Sequence, residues 1–70
     1  MSVELSRRLA RVVHQPPIAH LSRRERWELG IAVERAASFV DLTKDQQQLI
    51  LDAEAAHDRA IAEKRRFVAS

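Results

Sequence analysis

Glu54 and His57 are the first side chains whose types and spacing could do chemistry. They stand three residues apart, the i, i+3 spacing by which carboxylate-bridged di-iron bundles present two metal ligands from one helix. Such ligands must point into a bundle interior, whereas a helical wheel places Glu54 well outside the apolar stripe and His57 at its margin. We therefore expect no metal site, and we expect this pair to contact Asp58 and Lys64 at the surface.

Other catalytic chemistry finds no support in the sequence. The chain has no cysteine, its serines lie at helix caps or chain ends, and its single glycine excludes a glycine-rich phosphate loop. His14 and His20 bracket two prolines, and in an extended connector they would diverge and could not share an ion. The expectation is a protein that is not an enzyme and takes no cofactor.

A set of arginines near the front of the chain could bind phosphate. Arg23 and Arg24 are predicted to occupy the first turn of a helix, where the macrodipole disfavours positive charge, so local stability does not explain them. Five arginines could form one nucleic-acid surface: Arg7, Arg8, Arg11, Arg23 and Arg24. The alternative is that they form a solvated face or pair with Glu25 and Glu28.

Trp27 and Ile31 lie i, i+4 on the same predicted helix, on the side opposite its apolar stripe. Tryptophan is enriched among the residues that dominate binding energy, and Gly30 beside it would allow a partner to approach closely. These residues therefore predict an interaction surface. The alternative is that the N-terminal helix packs over Trp27 and completes a three-helix core.

The spacing of the apolar residues predicts an all-α fold in one domain, residues 1–70. An N-terminal helix of about 2–14 is followed by a stiff, extended connector at 15–21, because Pro16 and Pro17 cannot sit in a helix interior. Capping boxes at 22–25 and 43–46 predict an antiparallel hairpin of helices at about 22–40 and 43–68.

Two apolar seams should face each other in this hairpin, since each repeats at intervals of four, three and four residues. The seam residues are Leu29, Val33, Ala36 and Val40 on the first helix of the hairpin and Leu49, Ala53, Ala56 and Ala60 on the second. The second helix is longer, so its end with Phe67 and Val68 overhangs by about 10 Å. Either the N-terminal helix or a second copy of the chain should cover that end.

Seventy residues with no cysteine make a marginal core, which favours a chain that associates with itself or with a partner. No run is long and apolar enough to span a bilayer and no secretion signal is visible, so we expect a cytoplasmic protein. The first hypothesis is a protein-binding module, such as a small regulatory or phage accessory protein, that forms a homodimer or docks on a larger protein. Its expected interface residues are Trp27, Ile31, Leu5, Leu9, Val12 and Phe67. The second hypothesis is a nucleic-acid-binding accessory protein.

Overall fold

The computed structural model describes residues 2–69 and the side chains of residues 2–66. Across this range the chain is all-helical, as the apolar spacing predicts. It has four α-helices and one short 3₁₀ turn, in the order α1 (Val3–Val12), α2 (Pro16–Ala19), α3 (Arg23–Arg35), the 3₁₀ turn (Phe39–Asp41) and α4 (Lys44–Ala69). Phe67 and Val68, which we expected to need cover, have side chains outside the described ones.

Helix starts are fixed by side chains that satisfy free backbone N–H groups. The Ser2 hydroxyl accepts a hydrogen bond from Leu5 N at the start of α1. Both predicted capping boxes are present: Ser22 with Glu25 opens α3, and Thr43 with Gln46 opens α4. The sequence therefore predicts the beginnings of the two longest helices correctly.

The proline connector differs from the prediction of an extended path. Pro16 and Pro17 begin a single helical turn, α2, and Gln15 precedes them in an extended conformation. Proline is compatible with the first turn of a helix, because the N–H that it lacks would have no partner within the helix. The turn directs Ile18 inward, where its side chain is only 1% exposed.

Helix α3 ends at Arg35 and does not continue to Val40 as predicted. Ala36 adopts an extended conformation, and the carboxylate of Asp41 accepts hydrogen bonds from the backbone N–H groups of Ala37 and Ser38. This side-chain bonding competes with helix continuation and closes the 3₁₀ turn. Val40 lies on that turn and is 78% exposed, so it does not extend the seam.

All four helices contribute to one core. The buried residues are Leu5, Val12, Ile18, Leu29, Val33, Ala36, Leu42, Ile50 and Ala53. The closest helix packing pairs α4 with α2 and with α1, and α1 with α3. Leu29, Val33 and Ala36 of the first predicted seam and Ala53 of the second are buried in this core. The prediction that the two seams face each other is not supported, since α3 and α4 are not among the closely packed pairs and Ala60 is exposed.

Candidate functional site

The outer face of α3 presents Trp27 to solvent. Its side chain is 66% exposed, so the alternative that α1 packs over it is wrong. Ile31, one turn further along, is half-buried, as is Gly30 between them. We call these three residues the Trp27 face. Arg23 and Arg24, one turn before Trp27, are exposed on the same side of the helix.

The core holds this face in a fixed orientation. Leu29 and Val33, on the opposite side of α3, are 3% and 2% exposed. The capping box of Ser22 and Glu25 fixes the start of the helix, and hydrogen bonds from Ser22 lower the pKa of the Glu25 carboxyl. Trp27 is therefore exposed on a helix that is anchored on its other side and capped at its start.

Space beside the tryptophan is open. A methyl group added at Gly30 would meet no atom within 4 Å, and Gly30 does not have a positive φ. Neither the packing nor the backbone conformation of this chain therefore requires glycine at this position. A partner that approaches the helix backbone closely would explain the glycine, because a side chain at this position would be in its way.

The other residues expected at a protein interface do not join the Trp27 face. Leu5 is 2% exposed and Val12 is 1% exposed, and Leu9 packs against the same core. This is a correction for Leu5 and Val12, which are buried in the core of a single chain and are not available to a partner, whereas Leu9 is only partly buried. Phe67, the last of the expected interface residues, has a side chain outside the described ones.

Arg8 does not belong to a phosphate-binding surface either. Its guanidinium donates two hydrogen bonds to the Glu54 carboxylate, Nη2 to Oε1 at 2.7 Å and Nε to Oε2 at 3.0 Å. The same guanidinium lies 4.6 Å from the ring centroid of Phe39. Both partners of the ion pair are 26% exposed in their side chains, so solvent screens the pair only partly.

The ion pair shifts both pKa values in the direction that favours charge. The hydrogen bond from Arg8 is the main cause that lowers the pKa of the Glu54 carboxyl, against a smaller opposing effect of burial. The positive charges of Arg8 and Arg11 add to this lowering. The hydrogen bond to Glu54 correspondingly raises the pKa of Arg8.

The other four arginines of the expected surface differ in their surroundings. Arg11 lines a cleft with Glu54, His57 and Asp58, so its surroundings are partly acidic. Arg24 pairs with Glu28 at 3.2 Å across one helical turn, and both side chains are largely exposed. Arg7 and Arg23 are exposed. The expected five-arginine surface therefore loses Arg8 to Glu54, and Arg11 lies beside the carboxylates of α4.

The histidines and Glu54 do not assemble a metal centre. The rings of His14 and His57 meet edge to face with centroids 6.2 Å apart, and they join the end of α1 to the middle of α4. Glu54 contacts Arg8, which corrects the expected contacts with Asp58 and Lys64. Within the described part of the chain, no three His, Asp or Glu side chains are grouped to hold a metal ion.

Comparison with known proteins gives no family assignment. The chain matches no protein-family model, no curated protein and no solved structure. Among residues 2–69, no helix combines the length and the hydropathy needed to cross a bilayer. Any proposal of function therefore depends on the geometry of this chain alone.

Proposed function

We propose that this chain is a small non-enzymatic protein-binding module that docks on its partner through the Trp27 face. The observation that carries the proposal is the 66% exposure of Trp27 on a helix whose opposite side is buried. An exposed tryptophan leaves a large apolar surface in water, and tryptophan is typical of the residues that dominate binding energy. The open space at Gly30 supports the same reading, because a partner backbone could fit there.

Charge around the face defines the rim of the proposed contact. Arg23 and Arg24 lie on one side of Trp27, and Glu34 lies one turn beyond Ile31, all exposed. Rim charges of both signs affect association rate and orientation more than affinity. The expected partner surface is therefore an apolar pocket that receives the indole, with opposite charges at its edge.

Nucleic-acid binding, the second hypothesis, receives less support from this geometry. Arg8 is bound to Glu54, and Glu34 would lie close to any phosphate backbone that crossed Trp27. A nucleic-acid site would show binding that weakens steeply with salt. A gel-shift titration with single-stranded and duplex DNA and RNA at low salt tests this hypothesis, and no shift at low salt would exclude it.

The test of the proposed function compares three immobilised proteins: the natural chain, Trp27→Ala and Val40→Ala. Val40 is the matched control, since its side chain is also exposed, at 78%, but lies on the 3₁₀ turn. A protein from a cell lysate that binds through the Trp27 face should be captured by the natural chain and by Val40→Ala but not by Trp27→Ala. Far-UV circular dichroism should show the same helicity for all three proteins.

Intrinsic fluorescence then locates the contact. Trp27 is the only tryptophan in the chain, so its emission reports on this face alone when the partner carries none. The emission should shift to shorter wavelength as the captured protein covers the indole. Capture that is unchanged by Trp27→Ala, or binding that leaves Trp27 emission unaltered, would refute the proposed function.

A further inference from the structure

The exposed side of α4 carries four charged residues at intervals of seven: Asp45, Asp52, Arg59 and Arg66. All four are exposed, and residues seven apart lie on nearly the same face of a helix. Their order along the helix is acidic, acidic, basic, basic. A second α4 running in the opposite direction would place each arginine across from an aspartate.

Residues 44–66 of α4, taken together, have the same division of charge. Residues 44–58 carry four acidic side chains and one lysine, a net charge of −3, whereas residues 59–66 carry four basic side chains and one glutamate, a net charge of +3. Only Glu54 of the acidic half is engaged in an ion pair within the described residues. An antiparallel pair of α4 helices would bring each acidic half beside a basic half.

An open groove lies at the centre of this pattern. It has a volume of about 490 Å³, lies between α2 and α4, and is lined by Pro16, Pro17, Ala55 and Ala56 with Asp52 and Arg59 at its ends. The midpoint of the four charged positions falls between Ala55 and Ala56, which line the groove. Alanine side chains allow a second helix to approach closely.

Residues 58–66 of α4 have no cover among the described residues of a single chain. Helix α1 ends at Val12, and His14 contacts α4 at His57. Every side chain from Asp58 to Arg66 is exposed, including Ile61 at 39%. This segment is about 13 Å long at 1.5 Å per residue, long enough to lie along the other half of a second α4.

We propose that two copies of this chain form an antiparallel dimer through α4, with the two-fold axis between Ala55 and Ala56. In this arrangement Asp52 faces the partner's Arg59, and Asp45 faces the partner's Arg66. The symmetry repeats each pair, so one patch is complementary to itself. The groove supplies the apolar contact, and the charges fix the direction and the register.

Charge reversal tests the pairing. Molar mass is measured by light scattering and sedimentation at chain concentrations up to about 1 mM. The natural chain should dimerise, and Asp52→Arg or Arg59→Asp should each weaken the dimer at least about tenfold by placing like charges together. The double variant Asp52→Arg with Arg59→Asp should restore it. Arg7→Asp, an equally large charge change at an exposed site on α1, should have no effect.

Cross-linking tests the direction, since the natural chain has no cysteine. In the proposed dimer, Ala55→Cys lies next to its copy at the axis and should form a disulfide. Ala62→Cys lies about 20 Å along the axis from its copy and should not, because a disulfide needs Cα atoms within about 7 Å. A parallel dimer would cross-link at both positions and would overturn the proposal.

Three other results would also overturn the proposed dimer: a monomer at every concentration, a dimer that survives both single reversals, or a double variant that stays monomeric. Each leaves the proposed function standing, because the Trp27 face lies on α3 and is scored by capture and fluorescence. Conversely, loss of the Trp27 result would not change the molar mass expected here.

Discussion

At the scale of single residues, the ion pair between Arg8 and Glu54 joins two positions 46 residues apart. Glu54→Gln keeps the shape of the side chain but removes its charge, so it should lower the free energy of unfolding by about 1–2 kcal/mol, between the values for exposed and buried charged hydrogen bonds. Urea denaturation measures this change. Glu63→Gln is the matched control on the exposed part of α4 and should leave the stability unchanged.

The same pair predicts how stability depends on pH. Because the pKa of Glu54 is lower in the folded chain, the folded state binds fewer protons than the unfolded state, and the contribution is complete above the unfolded carboxyl pKa of about 4.3. It is lost as the pH falls through the lowered, folded pKa. The stability difference between the natural chain and Glu54→Gln should therefore shrink on acidification, whereas a constant difference would show that charge is not its cause.

Replacing Gly30 should change the stability of the chain and its binding to a partner in opposite directions. Alanine at this helical position meets no atom within 4 Å, and it has a higher helix propensity than glycine, so Gly30→Ala should raise the free energy of unfolding by about 0.5–1 kcal/mol. If a partner approaches the helix here, the added methyl group should weaken capture. A more stable variant that binds equally well would show that the partner contacts Trp27 without approaching Gly30.

Sequence alone predicted part of this residue-level detail. The helical wheel correctly placed Trp27 opposite the apolar stripe of its helix, because that geometry is local. It could not predict the partner of Arg8, since Glu54 is on another helix and their meeting depends on how α1 packs. Leu5 and Val12 were misplaced for the same reason: apolar residues on a terminal helix fit a core or a partner equally well until the packing is known.

At the scale of elements, the proline segment is helical where residue propensity predicts an extended path. Two prolines exclude a helix interior but not a helix start. The Gln15 side chain before them makes no capping hydrogen bond, so no local polar signal marks this start. Packing of Ile18 decides the outcome by burying the turn against the core. Capping boxes were predicted correctly because all their hydrogen bonds lie within four residues.

Helix α2 should therefore depend on Ile18 for its position. Ile18→Ala removes a side chain that is 1% exposed, so it should cost about 2–4 kcal/mol in unfolding free energy, measured by urea denaturation. Val13→Ala, at a site 46% exposed near the end of α1, should cost far less. Equal small losses would mean that α2 does not pack as described. Ile18→Ala should also weaken the proposed dimer, because Pro16 and Pro17 of the same helix line the groove.

At the scale of the whole molecule, the two proposed surfaces lie on different helices and should act independently. The α4 dimer leaves α3 outside the contact, so each dimer would present two Trp27 faces to a larger partner. Two linked contacts bind more tightly than one wherever the partner offers two sites at a matching distance. A weak dimer would thereby become a stronger binder without any new contact at Trp27.

Thermal unfolding measured against chain concentration separates the two surfaces without any partner. Association stabilises the folded state by mass action, so the midpoint temperature of the natural chain should rise with concentration. Asp52→Arg should remove this dependence, while Trp27→Ala should leave it intact because the indole lies on the outer side of α3. If Trp27→Ala instead removed the dependence, the chain would associate with itself through α3, and the contact assigned to a different protein would be a contact between copies.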